Sequence, residues 1–312
     1  MATFKVGICE PDCFSTNAIK TLSEKAEVFL LEGNNIKEFI KDKDAIFVRL
    51  KYLIDDALIC DASKLKYICS PTTGLNHIKI NNSNIQILSL KGEYDFLSNI
   101  RATPEHVFGL TLSLLRNYAF CFLNNDNKCW NRDLYRGYEL YKNSVGIIGL
   151  GRIGKIIAKY FLAFGSSVYY YDIDDSKVLS GCCKCNSIEE LIERANIVVL
   201  ETNYTDSNCK MINRNMLLKM KDKYFVNAAR GELVDENALI ELINKKWFKG
   251  VAIDVIANET EKSNILQELI PLSNKYNLII TPHIGGATYS SMERTEEFIT
   301  KKLINIAFKE EK

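Results

Sequence analysis

The chain has almost no net charge. Its 40 Lys and Arg stand against 39 Asp and Glu, leaving +1, so no long-range field favours nucleic acid or an acidic membrane as partner. It also lacks an uninterrupted apolar run of the roughly 18 residues that a membrane helix needs, so no span is expected. Repeats at solenoid spacing and low-complexity tracts are missing too. Histidine is scarce, at three residues, whereas cysteine is not, at ten. The densest thiol group, Cys182-Cys183-Lys184-Cys185, has no second ligand pair at zinc-site spacing and no nearby His. No metal is therefore expected, and the thiols read as ordinary strand or loop residues, reduced in the cytoplasm. Phe4 to Ile8 reads as a first strand rather than part of a secretory leader. What is present is ordinary for a globular protein. The chain is 47% hydrophobic and 25% charged, and 312 residues make about two domains.

Its most informative segment is Val145-Gly-Ile-Ile-Gly149-Leu-Gly151-Arg-Ile-Gly154, followed by Asp172 18 residues beyond the last glycine. This spacing is the fingerprint of a dinucleotide-binding strand-turn-helix unit. Gly149 makes the tight turn, Gly151 lets backbone approach phosphate, and Gly154 lets the helix pack closely on the sheet. The phosphates then lie at a helix N-terminus, where free N–H groups and the dipole favour negative charge. Context agrees on both sides. Ile153, Ile156, Ile157, Tyr160, Phe161 and Phe164 follow at helical spacing, and Gly165 suits the position just past the helix end. Ser167 to Tyr171 then reads as a buried strand that delivers Asp172 at its tip. A carboxylate there accepts ribose hydroxyls and repels a 2′-phosphate. No Lys or Arg is adjacent in sequence, so NAD is expected over NADP.

Short apolar runs alternate with helix-permitting stretches along the whole chain, which implies α/β units on parallel sheets. In the first hundred residues, strands are expected at Phe4–Ile8, Glu27–Leu31, Ala45–Val48, Tyr67–Ser70 and Ile85–Ser89. From Val145 a second series has strands at Val168–Tyr171, Ile197–Leu200, Tyr224–Asn227, Val251–Asp254 and Leu278–Thr281. Ser187 with Glu190 reads as a capping box. Ala102 to Phe122 reads as one long helix, apolar on too many sides for a single stripe, bridging two domains. Ser291 to Phe308 reads as the final helix. The expected architecture is two doubly wound parallel-sheet domains. A Rossmann-type nucleotide domain, 102–286, is inserted into a flavodoxin-like substrate domain, 1–101 with 287–312, closing a cleft between them.

In open α/β sheets the functional side chains gather beyond the carboxyl ends of strands. Asn227-Ala-Ala-Arg230-Gly231 follows one expected strand, Asp254 ends the next with Glu259 soon after, and Thr281-Pro-His283 ends the last. Together they provide what hydride transfer to a 2-keto acid requires. His283 would donate the proton in reduction and accept it in oxidation, because its pKa lies nearest neutrality. Glu259 would orient the ring and favour its charged form. Arg230 would grip a substrate carboxylate with a planar fork that never loses its charge. Asp254 would receive the carboxamide of the nicotinamide. His77 and His106 read as structural.

With these residues the chain resembles the D-isomer-specific 2-hydroxyacid dehydrogenase family, phosphoglycerate dehydrogenases included, over nearly its whole length. The most specific stretches are Val145 to Gly154, Asn227 to Leu239, Gly250 to Asp254 and Thr281 to Thr288. The resemblance implies Arg230, Glu259 and His283 as the catalytic set. It implies NAD contacts at Thr73, Arg152, Ile153, Asp172, Thr202, Ala228, Asp254 and Gly286, beside the glycines, and a homodimer formed through the nucleotide-binding domain. The loop Ser70 to Ile78 is similar to the family segment whose backbone N–H groups receive the substrate carboxylate, which points to Thr72, Thr73 and Gly74. Arg49 matches a position from which some members read a phosphate or second carboxylate; an ordinary surface Arg is the other reading. Ser98 to His106 resembles the phosphoglycerate-type hinge.

Departures are Thr260 where Pro is usual, Glu201 where many members have His, and the unusual Lys91-Gly-Glu-Tyr-Asp-Phe96. They leave the mechanism alone and open the substrate question. The end of the chain soon after the final helix reads as lack of a C-terminal regulatory extension. The leading reading is an NAD-dependent dehydrogenase of a small D-2-hydroxy acid. Two others stay open: a formate- or phosphite-type dehydrogenase on the same scaffold, and an NAD(H)-sensing binding protein.

Overall fold

The structure is a computed structural model describing residues 3–123, 132–259 and 264–308. The chain divides into two compact units, Met1–Ile100 with Ala287–Lys312, and Arg101–Gly286. The second is thus inserted into the first. Each carries a parallel, doubly wound sheet, as the alternating patterns imply.

The strands of the first unit are β1 (Lys5–Ile8), β2 (Glu27–Leu30), β3 (Ala45–Phe47), β4 (Ile54–Asp55), β5 (Tyr67–Ser70), β6 (Ile78–Lys79) and β7 (Gln86–Ser89). The main sheet runs β2-β1-β3-β5-β7, the flavodoxin-like order, while the short β4 and β6 pair with each other. Nearly every residue of β1, β3 and β5 is buried, as a sheet covered on both faces requires. The final helix, Tyr289–Ala307, packs here: Ile299 and Leu303 share a core with Val6, Ile8, Leu22 and Phe47. It starts before Ser291 because the Thr288 side chain caps it, accepting from the Ser291 N–H at 3.1 Å.

The second unit contains β8 (Ser144–Ile148), β9 (Ser167–Tyr171), β10 (Cys182–Lys184), β11 (Ile197–Leu200), β12 (Tyr224–Asn227), β13 (Gly250–Ile253) and β14 (Leu278–Ile280). They lie in the order β10-β9-β8-β11-β12-β13-β14, and all are parallel. The direction of winding switches between β8 and β11, which is where such sheets open a ligand crevice beyond their carboxyl ends. The helix Arg152–Ala163 lays Ile157, Ala158 and Phe161 into the core; each large side chain so buried contributes about 1.5–3 kcal/mol. Gly165, at φ 77°, turns the chain away from it.

Three expectations need correction. The long helix is broken into Ala102–Leu115 and Tyr118–Leu123. Asn117, at φ 54°, adopts the left-handed conformation that ends helices, and its side chain donates to the Arg136 carbonyl at 2.7 Å. The capping box is only half formed. Ser187 Oγ accepts from the Glu190 N–H at 3.1 Å, but Glu190 Oε2 accepts from the Asn186 N–H at 2.7 Å, one residue short of the reciprocal bond. Cys182 and Cys183 belong to an edge strand absent from the expected set. Among the described residues no helix is long and apolar enough to cross a membrane.

Candidate active site

The glycine turn meets the close approaches its sequence demands. A Cβ on Gly154 would strike the Gly149 carbonyl oxygen, and one on Gly149, at φ 103°, would strike that of Glu201. A Cβ on Gly151 would meet nothing within 4 Å. Open space therefore lies at the N-terminus of a 12-residue helix, where backbone N–H groups and the dipole attract phosphate. Arg152 opens that helix, Ile153 packs half-buried behind it, and Thr202 lies against the Gly149 turn. Ala228 is buried after β12, whereas Gly286 borders open space. These groups fit a bound dinucleotide.

Asp172 sits at the tip of β9, buried. Its Oδ2 accepts from the Leu150 N–H within the glycine turn at 2.7 Å, and its Oδ1 accepts from the Asp174 N–H at 3.0 Å. The sequence expectation of no cation beside it holds only for its immediate neighbours. Lys177 folds back to place Nζ 3.2 Å from Oδ1, because the intervening residues turn on Asp174, whose side chain accepts from the Ser176 N–H at 3.0 Å.

The tips of β12, β13 and β14 are adjacent in the sheet and carry the remaining candidates of this unit. His283 and Glu259 meet directly, with Nδ1 2.7 Å from Oε2. His283 is held at φ 53°, a left-handed conformation that non-glycine residues adopt only under constraint. The constraint is visible. Its N–H donates to the Asp254 carbonyl at 2.8 Å, and the Asp254 carboxylate accepts from Thr281 Oγ1 at 2.6 Å, Ile284 N–H at 2.9 Å and Gly285 N–H at 2.9 Å. His106 Nε2 adds a contact at 3.1 Å. Burial pushes the Asp254 carboxyl up, but the hydrogen bonds from His106, Thr281, Ile284 and Gly285 outweigh it and hold it below its ordinary value.

Arg230 follows β12. Asn227 Nδ2 donates to its carbonyl at 3.1 Å, and its own Nη1 donates to the Ala229 carbonyl at 2.6 Å. A Cβ on the next residue, Gly231, would overlap the backbone of Ile256 and Ala257, so only glycine lets this loop lie against the segment leading to Glu259. Glu236 ties the same segment down, accepting from the Ala257 N–H at 2.8 Å. The sequence did not disclose the anchoring of the His283 turn by His106 and Thr281. A lone His on a helix carries no signal of a partner 148 residues away.

The candidates of the first unit fall into two separate sets of contacts. Thr72 Oγ1 bonds to the Gly74 carbonyl and to Ser70 Oγ, both at 2.8 Å, and Thr73 is exposed beside them. His77 Nε2 lies 3.2 Å from Ser70 Oγ, a structural contact. Arg49 is not an ordinary surface residue. Its guanidinium donates to the carbonyls of Glu10 and Asp12 and lies 3.7 Å from Glu296 Oε1. Burial pushes the Glu296 carboxyl up to about 7, while the Ser15 N–H and Arg49 draw it down. Arg49 thus fastens the final helix to the loop after β1.

A glycine turn at the switch point of a seven-stranded parallel sheet, with an acid at the neighbouring strand tip, defines a dinucleotide-binding protein of the Rossmann type. Residues 108–285 match the D-isomer specific 2-hydroxyacid dehydrogenase NAD-binding domain. The chain is 30% identical over 311 residues to a glyoxylate reductase of Pyrococcus furiosus, covering 94% of this chain and 89% of that one. It is 31% identical over 305 residues to a D-3-phosphoglycerate dehydrogenase of Methanocaldococcus jannaschii, covering 96% of this chain but 57% of the relative. In fold it is similar to a D-lactate dehydrogenase of Aquifex aeolicus, with a TM-score of 0.82 and 24% identity over 97% of this chain and 95% of the other. The chain belongs to the D-isomer specific 2-hydroxyacid dehydrogenase family, and it is an NAD-dependent oxidoreductase.

Proposed function

We propose that the enzyme interconverts a small 2-keto acid and its D-2-hydroxy acid, with His283 and Glu259 as the acid–base pair and Arg230 on the substrate carboxylate. The observation that carries this reading is the 2.7 Å contact between His283 Nδ1 and Glu259 Oε2. A carboxylate on Nδ1 fixes the orientation of the ring and leaves the Nε2 edge for the substrate oxygen. The glycine turn, Arg152 and Asp172 would hold NAD, which supplies or takes the hydride. Asp254 has its oxygens committed to the turn bearing His283, so its main part is to fix where that imidazole stands. A small monocarboxylate is favoured over a phosphorylated acid. Arg49, the cation considered for a phosphate or second carboxylate, already serves Glu10, Asp12 and Glu296.

The test is a panel of 2-keto acids with NADH, including glyoxylate, pyruvate, and phosphorylated and dicarboxylic acids, read by loss of NADH absorbance. Turnover of glyoxylate or pyruvate is expected. Tight NADH binding with no turnover across the panel would instead mean a sensor, and turnover of formate or phosphite alone would move the chemistry to that class.

Asp172→Ala is expected to weaken NADH binding about tenfold and to narrow the preference over NADPH, because Lys177 is then left to meet a 2′-phosphate. An unchanged ratio of the two dissociation constants would rule out the ribose contact. We further infer a homodimer formed through the second unit. Tyr118, Phe122, Leu134, Tyr138, Tyr141 and Phe164 are exposed there, and Tyr118 stacks on Phe122 at 5.5 Å; a partner surface would cover such side chains. Sedimentation showing only monomers would remove that inference.

A further inference from the structure

Glu201 stands at the switch point of the second sheet and has no part in the reading above. It follows β11, donates its N–H to the Ile148 carbonyl at 2.8 Å, and its own carbonyl oxygen lies where a side chain on Gly149 would fall. The carboxyl is buried at Oε1, which has no hydrogen-bond partner among the described residues. A buried carboxylate without donors is costly, whereas a neutral acid tolerates the place far better. Three charged groups act on it: Asp254 at the tip of β13, Arg152 opening the helix after the glycine turn, and Arg230 after β12. Beyond them, His106 contacts Asp254, and Arg101 acts on Arg152.

We propose that Glu201 is a positioning residue that works uncharged. As a neutral acid it adds no negative charge to the surroundings of Arg152 and Arg230, and on ionising it weakens the pull that both exert on anionic ligands. The half of this concerning Arg230 rests on the proposed grip of the substrate carboxylate; the half concerning Arg152 rests only on the phosphate-binding helix terminus. Burial pushes the Glu201 carboxyl up to about 8, with Asp254 adding to the rise and Arg152 and Arg230 opposing it. The sign follows. Below about 8 the acid is neutral and both arginines attract anions; above it, a carboxylate among them weakens that attraction.

The experiment compares wild type with Glu201→Gln, which has nearly the shape of the protonated acid and cannot ionise. NADH binding is titrated by its fluorescence between about pH 6 and about pH 10, and the KM for glyoxylate is measured over the same range. Other titrating groups are common to both proteins and cancel in the ratio. The ratio of wild-type to variant NADH dissociation constants is expected to rise roughly tenfold across the range, with its midpoint near 8, and the KM ratio is expected to follow. A flat NADH ratio overturns the proposal whatever the turnover shows. A rising NADH ratio with no 2-keto acid reduced upholds Glu201 as the ionising neighbour of the phosphate site and overturns the dehydrogenase reading instead.

Discussion

Replacing His283 by Gln is expected to cut kcat by about a thousandfold while NADH still binds within a few-fold of wild type. The amide can still hydrogen-bond to Glu259, but it can neither deliver a proton to a forming alkoxide nor receive one. Binding of the dinucleotide should survive, because the glycine turn and Asp172 are built from β8, β9 and the helix after β8, with no contribution from the His283 turn. The backbone of residue 283 is left-handed, a conformation that Gln takes less readily than His. His283→Asn is the useful control, since Asn accepts that conformation more readily, and it should lose the same activity. Steady-state turnover with the best keto acid of the panel and NADH fluorescence titration together read the outcome. Activity of either variant within tenfold of wild type would end the acid–base assignment.

Arg230→Lys should cost about a hundredfold in kcat/KM, or about 3 kcal/mol of transition-state binding. The charge stays, yet the planar fork that meets both oxygens of a carboxylate is lost. The loss should appear in both KM and kcat, because a carboxylate held at one point leaves the carbonyl carbon poorly oriented for attack. Melting temperature should change little, since among the described residues the Arg230 side chain makes one hydrogen bond, to the adjoining Ala229 carbonyl. A lysine variant with kcat/KM within threefold of wild type would show that the guanidinium does not grip the substrate.

Much of the architecture was legible because it is written in local patterns. Ile197–Leu200 and Tyr224–Asn227 are apolar runs of strand length, and both became fully buried parallel strands. The glycines at 149 and 154 stand where backbone crowding allows no larger residue, and the one at 151 borders open space. The contact of His283 with Glu259 was foreseeable once both were placed on neighbouring strand ends. Where reading failed, a particular residue outvoted the average of its segment. Asn117 ended a helix whose apolar run continues past it, and Glu190 reached Asn186 rather than the residue a capping box would use.

The partnerships of charged side chains were of another kind. Lys177 beside Asp172, Arg49 spent on Glu10, Asp12 and Glu296, and Asp254 holding the turn of His283 all join groups that are separated in the chain or brought together by a turn. The order of residues by itself determined that two parallel sheets would form, that one would present a phosphate-binding turn, and at which strand ends the candidate side chains would stand. Those outcomes follow from burial periodicity and backbone freedom, which are properties of short segments. Only the tertiary structure decided which charge faces which, and which carboxyl is left buried without a donor. The energy of a charge depends on its distance to every other charge and on the water excluded around it, and neither quantity exists until the chain has folded.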